Sequence, residues 1–361
     1  MSLLCFLIIF SLVVFVHEFG HFLLAKKNGI GVVEFSIGMG PNIYSWVKNG
    51  TRYSIKWIPF GGACQMLGDD NGIPDPDEVV SDDLHAFNNK PIWARISVIA
   101  AGPIFNFILA FLLAVIVISF AGTDKSIVQN VIEGYPVEAA GIQPGDEIVK
   151  INGESIHFYR EILLYLQLNP GKTLNVEYIR DGERYKATIQ PKWSEEENSY
   201  LMGIQGYAGL RYEVGALQTL KYSLYEVKYN IVTTFKSLGM LFTGKASIND
   251  LSGPVGIAEF VDDIVDDVVQ NTQEQSFGDK AVTMFLTLAN FVILISANLG
   301  VMNLLPIPAL DGGRLVFLFI EAVRGKPISK EKEGMVHIIG FVLLMVLMVV
   351  VLFNDVRKIF I

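Results

Sequence analysis

Four runs of apolar residues in this chain are each long enough for an α-helix to cross a lipid bilayer. A helix needs about 20 mainly apolar residues for this, because each residue advances it by only about 1.5 Å. The runs lie at Leu3–Ala25, Ile92–Ala121, Ala281–Leu305 and Met335–Phe353. Charged residues make up 18% of the 361 residues, whereas soluble domains carry about 25%. The sequence therefore predicts a helical membrane protein with four spans.

The first run is interpreted as a retained span, with a secretory signal peptide as the alternative. No Lys or Arg precedes it, and no small-residue cleavage pattern follows it. Lys26 and Lys27 stand at its far end, which the positive-inside rule puts in the cytoplasm. Four spans then place residues 122–280 outside the cytoplasm, although Arg357 and Lys358 near the C-terminus oppose this orientation.

Between the first two spans, the pattern changes to that of β-strands. Residues 30–66 are rich in β-favouring side chains and contain Asn49-Gly50, a strong signal for a tight hairpin turn. We expect a β-hairpin or small sheet at the cytoplasmic membrane surface. The acidic residues that follow, within 67–90, predict a loop.

The segment between the second and third spans has the mixed composition of a soluble domain. Within it we expect short strands, a small helix, and then a second helix followed by a hairpin at Asp181-Gly182. Residues 212–245 keep apolar positions at helical spacing. They predict either an amphipathic helix on the outer membrane surface or a helix packed on the soluble domain.

Charge and cysteine content exclude two classes of site. The net charge of −9 gives no reason to expect a nucleic-acid partner. The chain has only two cysteines, Cys5 and Cys64, which are too few for a cysteine-based metal site.

The first span contains an H-E-x-x-H motif, His17-Glu18-Phe19-Gly20-His21. Residues four apart on a helix project from nearly the same face, so both imidazoles can reach one metal ion. Catalytic zinc sites use three protein ligands and a water, from which Glu18 could take a proton. The alternative is two histidines satisfied by core hydrogen bonds. Ionisable groups inside a span are costly and usually mark function, which favours the metal.

A third ligand must come from another part of the chain. Asp311 follows a proline-broken segment, and irregular backbone at membrane depth is tolerated where it lines a cavity. Its carboxylate could complete the ligand set or cap a helix N-terminus, and the residues alone leave both open. Solvation or local hydrogen bonds best explain His85 and His157, while His337 is a weaker candidate than Asp311.

Two asparagines, Asn298 and Asn303, lie in the same segment as Asp311. Their amides could bind an extended substrate backbone or a developing oxyanion. They could equally hold neighbouring helices together by hydrogen bonds.

Four stretches of the sequence together resemble the bacterial site-2 proteases of the regulator of sigma-E protease type. The stretches are "VHEFGHFLLAK", "FNNKPIWARISVIAAGPIFNF", "GPVGIA" and "NLLPIPALDGG", and they occur in the family's order across nearly the whole chain. The resemblance implies a zinc ion held by His17, His21 and Asp311. It also implies that Glu18 is the catalytic acid/base and that Asn298 and Asn303 bind substrate.

This resemblance implies an intramembrane zinc metalloendopeptidase of the bacterial inner membrane. Its substrates would be single-span membrane proteins, such as anti-sigma factors and remnant signal peptides, cut after a first extracytoplasmic cleavage. Residues 122–206 would form one extracytoplasmic PDZ domain acting largely as a size filter, and the β-region could pair with an unwound substrate. The alternatives are a membrane adaptor, which has no use for Glu18, and a metal transporter, which would commonly show inverted repeats.

The predicted fold class is a polytopic α-helical membrane protein with four transmembrane helices, a membrane-associated β-region and one PDZ domain. The expected order is a first transmembrane helix (1–29), the β-region (30–66), an acidic cytoplasmic loop (67–90), a second transmembrane helix (91–121), the PDZ domain (122–206), an amphipathic helix with a linker (207–280), a third transmembrane helix with the L-D-G-G segment (281–334), and a fourth transmembrane helix (335–361).

Overall fold

The computed structural model describes residues 2–69, 84–205, 211–247, 253–272 and 274–360. Residues 70–83, which form most of the predicted acidic loop, lie outside the described residues. The chain divides into two compact units. The membrane unit comprises Met1–Ala114 and Asn230–Ile361, and the second unit comprises Val115–Tyr229.

Nine α-helices lie within the described ranges. They are α1 (Ser2–Lys27), α2 (Ile92–Ala121), α3 (Pro136–Ala139), α4 (Tyr159–Leu168), α5 (Ala216–Phe242), α6 (Pro254–Asn271), α7 (Phe277–Leu304), α8 (Asp311–Arg324) and α9 (Lys330–Phe360).

The strands are short except for the first two. They are β1 (Val32–Lys48), β2 (Thr51–Met66), β3 (Asn130–Val131), β4 (Glu147–Ile151), β5 (Glu154–Ser155), β6 (Leu174–Arg180), β7 (Glu183–Ile189), β8 (Lys192–Ser194), β9 (Ser199–Leu201) and β10 (Ile204–Gln205).

Four of these helices, α1, α2, α7 and α9, are long and apolar enough to cross a membrane. They coincide with the four predicted spans, and three of them extend a few residues beyond the apolar run. Many of their apolar side chains are exposed, as contact with lipid requires. The prediction of a four-span helical membrane protein is therefore confirmed.

The β-region is a long hairpin, as the Asn49-Gly50 pair predicts. Both turn residues have positive φ, 51° and 74°, which the tight hairpin turn demands. The second strand curls back, so that residues 34–37 pair with 52–55 and also with 62–65. The segment 62–65 therefore lies at one edge of this small sheet.

Aromatic contacts attach the β-region to α1. The Phe35 ring lies 5.9 Å from that of Phe15 and 4.9 Å from that of Phe22. At the end of α1, Lys26 Nζ donates to Thr51 Oγ1 at 2.6 Å. These contacts hold the β-region beside the helix that carries the H-E-x-x-H motif.

A proline-containing loop separates the third long helix from α8. α7 ends at Leu304, and α8 begins at Asp311. Pro306 and Pro308 lie between them, where proline's missing N–H disrupts no helical hydrogen bond. Leu315 and Leu318 of α8 are buried in a core cluster together with residues of α1, α2 and the β-region. This packing places the start of α8 near α1.

The second unit contains a four-stranded antiparallel sheet in the order β5-β4-β6-β7. The predicted hairpin at Asp181-Gly182 joins β6 to β7, with φ of 51° and 86° at the turn. Ile148, Ile162 and Leu174 are fully buried in the core that this sheet forms with α3 and α4. The predicted order of strands and helices is thus observed.

Helix α5 presents two different faces. Ser223 and Val227 are buried, and within the second unit the Tyr222 ring lies 5.9 Å from that of Phe158. Burial raises the pKa of the Tyr222 hydroxyl to about 12. On the other side, Leu217 and Leu224 are exposed by 82% and 60%. The first part of α5 therefore packs on the soluble domain and also carries an apolar outer face.

Candidate metal centre

The two histidines of the motif and Asp311 converge on one point in the membrane unit. His17 and His21 share a face of α1, and both are buried. Asp311 Oδ2 lies 3.1 Å from His17 Nε2 and 3.3 Å from His21 Nε2. The two Nε2 atoms are 3.2 Å apart. Within the described residues, these three are the one group of His, Cys, Asp or Glu close enough to hold a metal ion.

This triangle has the size that tetrahedral zinc requires. Ligand atoms about 2.0–2.1 Å from zinc stand about 3.3–3.4 Å from one another in a tetrahedron. The observed separations are 3.1–3.3 Å. Asp311 Oδ2 is buried and has no hydrogen-bond partner among the described residues. Three converging lone pairs repel one another unless a cation lies between them, so the donor set fits zinc.

The second ring nitrogen of His21 fixes its tautomer. His21 Nδ1 lies 2.9 Å from the carbonyl oxygen of Val98 in α2. A carbonyl only accepts hydrogen bonds, so Nδ1 carries the proton and donates it. The lone pair of Nε2 is then directed towards His17 and Asp311, as metal binding requires.

Asn106 of α2 fixes the tautomer of His17 in the same way. Its Nδ2 lies 3.3 Å from His17 Nδ1, and its Oδ1 is buried without a hydrogen-bond partner among the described residues. The oxygen and nitrogen of the Asn106 carboxamide exchange positions when the group is rotated by about 180°. In that orientation Oδ1 accepts the Nδ1 proton, and the lone pair of His17 Nε2 is free for the metal. The sequence motifs do not identify Asn106 as a site residue, and its one signal is a polar side chain within the second predicted span.

Gly102, one turn before Asn106, provides the space for both imidazoles. A Cβ atom there would lie 2.7 Å from the Cε1 atoms of His17 and His21, and nearer still to His21 Nε2. Any side chain would therefore displace the ligands. α2 continues as a helix through Gly102-Pro103, so the glycine serves close packing.

A cavity of about 370 Å³ opens beside the triangle. Glu18 lines it next to the two histidines, as do Asn303 of α7 and the edge residues 62–64 of the β-region. Arg314 of α8 and Asp69 form an ion pair, and both residues also line the cavity. The cavity thus contains a carboxylate, a carboxamide and a strand edge within the membrane unit.

The structure does not bring Asn298 to this cavity. Asn298 Oδ1 accepts a hydrogen bond of 2.5 Å from Thr234 Oγ1, and the residue lines a different cavity beside α6. Five residues on a helix turn it by about 140°, so Asn298 and Asn303 face different ways. The structure therefore places Asn303, but not Asn298, at the cavity beside the candidate metal centre.

Among the described residues, none of the other three histidines belongs to the candidate ligand group, and no side chain caps the start of α8. The backbone carbonyl of His85 accepts from Gly31 N–H at 2.9 Å, and His157 packs on Tyr225 in the second unit. His337 Nδ1 accepts from Ala309 N–H at 3.0 Å. Asp311 is the first residue of α8, and its carboxylate faces the two imidazoles.

The fold and the site together describe a helical membrane protein in which two histidines and an aspartate form a candidate metal centre beside a glutamate. Residues 5–347 match the family described as Peptidase family M50. A protein of Clostridium acetobutylicum is 41% identical over 348 residues, covering 96% of this chain and 95% of its own. "Zinc metalloprotease RasP" of Shouchella clausii and "Regulator of sigma-W protease RasP" of Bacillus subtilis are each 34% identical and cover 99% of both chains.

The chain belongs to peptidase family M50. It is a membrane protease, and the resemblance seen in the sequence motifs is confirmed. Zinc is the cofactor expected from the ligand set, and relatives carry zinc metalloprotease in their names.

Part of the chain is also similar to solved PDZ domains. The PDZ domain of the SdrC-like protein of Listeria monocytogenes covers 22% of this chain and 85% of its own, with 22% identity and a TM-score of 0.21. The corresponding domain from Listeria innocua covers 24% of this chain and 100% of its own, with 23% identity and a TM-score of 0.22.

Proposed function

We propose that this chain is an intramembrane zinc endopeptidase that cleaves the membrane-spanning segments of single-span proteins. The observation that carries the proposal is the meeting of His17, His21 and Asp311 beside Glu18. All four belong to the membrane unit, and the two histidines and Glu18 lie within a candidate span. A hydrolytic centre at this depth suits a substrate that is itself embedded in lipid.

In this proposal, Glu18 moves the protons of the reaction. When bound, zinc polarises the scissile carbonyl and makes a water molecule more acidic. The Glu18 carboxylate accepts a proton from the attacking water and later delivers it to the leaving amine nitrogen. Val98 and Asn106 hold the two imidazoles so that their Nε2 lone pairs stay directed at the metal position.

The substrate must be extended to be cut, because a helical amide is shielded by its own hydrogen bonds. The edge segment 62–65 of the β-region lies at the cavity and can add an unwound peptide as a further strand. Asn303 lines the same cavity and can donate a hydrogen bond to the peptide backbone. Asn298 lies away from this path, and its amide oxygen accepts a hydrogen bond from Thr234 Oγ1.

The biological setting is proposed from the resemblance and from the relatives' names. The protein acts in regulated intramembrane proteolysis in the bacterial plasma membrane, on anti-sigma factors or remnant signal peptides already cut outside. The name of the Bacillus subtilis relative, a regulator of sigma-W protease, supports the first class. The active site faces the cytoplasm, and the PDZ domain lies outside as a size filter. The exposed leucines of α5 then rest on the outer membrane surface.

Replacing Glu18 by glutamine tests the proposed base. Glu18→Gln keeps the size of the side chain but removes its basicity, so zinc should stay bound while cleavage of a reconstituted single-span substrate stops. Glu183→Gln, on an exposed strand of the second unit, is the matched control and should cleave normally. Continued cleavage by Glu18→Gln would rule out its role.

The same variant can identify the substrates. Single-span fragments trimmed outside should accumulate in membranes of cells that carry Glu18→Gln, and disappear when the native chain is restored. Membrane proteomics would detect them. If no single-span fragment accumulates, the proposed substrate class is wrong.

A further inference from the structure

The loop between α7 and α8 leads directly into Asp311. α9 supplies none of the three proposed ligands, yet it contacts this loop through His337. We propose that His337 of α9 is a positioning residue for Asp311. By accepting a hydrogen bond from Ala309 N–H, it keeps the loop in the conformation that directs Asp311 Oδ2 at the two imidazoles. This inference rests on the proposed ligand role of Asp311.

Ala309 has a backbone conformation that its side chain disfavours. Its φ is 74°, in the left-handed region that only Gly, and sometimes Asn or Asp, adopts readily. Such a conformation persists only where its surroundings impose it, and it is often found at functional sites. Ala309 stands two residues before Asp311 and lines the same cavity. A change in its conformation would therefore redirect the ligand.

His337 supplies the contact that imposes this conformation. Its Nδ1 accepts a 3.0 Å hydrogen bond from Ala309 N–H, and the residue is buried. An accepting Nδ1 requires that the ring proton sit on Nε2. Glu333 Oε1, one helical turn earlier, lies 3.9 Å from Nε2. The negative charge of Glu333 favours a proton at that nitrogen and so leaves the Nδ1 lone pair for Ala309.

A second contact brings α9 against the same loop. Gly340 follows His337 by three residues and therefore lies on the same face of α9. A Cβ atom at Gly340 would lie 2.7 Å from the carbonyl oxygen of Pro308. The absence of a side chain lets α9 approach closely enough for His337 to reach Ala309. The Phe317 ring of α8, 5.5 Å from the His337 ring, packs beside it.

Zinc affinity measured in purified full-length protein tests the proposal. His337→Leu keeps the bulk of the side chain but cannot accept a hydrogen bond, so zinc affinity should fall about 10–100-fold, as for other partners behind metal ligands. His337→Asn can place its Oδ1 near the position of Nδ1 and should restore most of the loss. Amide hydrogen exchange over residues 306–312 should be faster in His337→Leu than in His337→Asn.

Ala309→Gly probes the strained residue directly. Glycine adopts positive φ without a steric penalty, so combining Ala309→Gly with His337→Leu should recover part of the lost zinc affinity. No recovery would overturn the role given to Ala309. His157→Leu, in the second unit, and Ile339→Ala, at an exposed position of α9, should bind zinc like the native chain.

Two outcomes would overturn the proposal. One is native zinc affinity in His337→Leu, and the other is a His337→Asn variant no better than His337→Leu. Asp311→Ala separates this inference from the assignment on which it rests. If Asp311→Ala loses zinc while His337→Leu keeps it, only the positioning role fails. If Asp311→Ala keeps zinc, the ligand assignment fails as well.

Discussion

Gly102→Ala is the smallest change that should disable the metal centre. The added methyl group would overlap the imidazoles of His17 and His21, the two proposed ligands, because the Gly102 Cα faces them directly. The substitution introduces no charge and no hydrogen-bonding group. Alanine is also about 1 kcal/mol better than glycine inside a helix, so α2 itself should not be weakened.

The distances set the size of the expected effect. The new Cβ would lie 2.7 Å from the Cε1 atoms of His17 and His21, whereas ordinary contacts begin at 3.4 Å. The rings or α2 must therefore move by at least about 0.7 Å, which exceeds the roughly 0.2 Å tolerance of metal–ligand distances. We expect zinc affinity to fall about 100-fold, which corresponds to about 2.7 kcal/mol.

Chelator competition on purified protein in lipid nanodiscs would measure this loss. The matched control is Gly239→Ala in α5, where a Cβ would meet no heavy atom of the described residues within 4 Å apart from the nearby helix backbone. That control should bind zinc like the native chain, and circular dichroism should show intact helices in both variants. Native zinc affinity in Gly102→Ala would refute the packing argument. Equal losses in both variants would show that a general effect of alanine is responsible.

Three further predictions concern the neighbours of the site and the second unit. Asn106→Leu should lower zinc affinity about 10–100-fold in chelator competition, because leucine cannot accept the His17 Nδ1 proton. Asn106→Asp still accepts this hydrogen bond and should keep the native affinity. Weaker zinc binding in Asn106→Asp than in Asn106→Leu would contradict the assigned amide orientation. Removing zinc should lower the midpoint temperature of thermal unfolding of the native chain but leave that of His17→Ala unchanged. If zinc removal lowers both midpoints equally, the stabilising zinc is bound at another site. Arg160→Ala, which breaks the ion pair with Glu226, should destabilise the second unit by about 1–3 kcal/mol in denaturant unfolding. Arg184→Ala, at a more exposed ion pair, should destabilise the second unit less, and equal effects would argue against a stabilising role of the partly buried Arg160–Glu226 pair.

Local patterns in the sequence predicted the elements whose geometry depends on nearby residues. The four-residue spacing of His17 and His21 placed both on one face of α1, because a helix repeats every 3.6 residues. Asn49-Gly50 marked the hairpin turn, because that turn needs positive φ at both positions. Neither inference required knowledge of how the helices pack.

The rest of the site depends on packing between distant parts of the chain. Residue spacing did not decide whether Asp311 is a metal ligand or a helix cap. Its carboxylate reaches the histidines only because α8 packs near α1. Gly102 and Asn106 contact the ligands because α2 crosses α1 at that level. No periodicity in α2 alone reveals this crossing.

Two expectations show that a sequence pattern alone does not determine which way each side of a helix faces. Asn298 and Asn303 are both predicted to bind substrate, but a continuous α7 turns them about 140° apart, and only Asn303 lines the cavity beside the histidines. For α5, packing on the soluble domain and a membrane-facing surface were treated as alternatives. The structure has a buried stripe with Ser223, which agrees with packing on the soluble domain, and an exposed face with Leu224, for which contact with the membrane surface stays a prediction.

Zinc-edge X-ray absorption spectroscopy of the purified native chain would test the central claim most directly. A site formed by His17, His21 and Asp311 predicts two imidazole nitrogens together with oxygen ligands, all at about 2.0–2.1 Å from zinc. Cys64 lines the same cavity, and a sulfur ligand at about 2.3 Å would identify a different ligand set. A spectrum with that sulfur signal, or without the imidazole signature, would contradict the account.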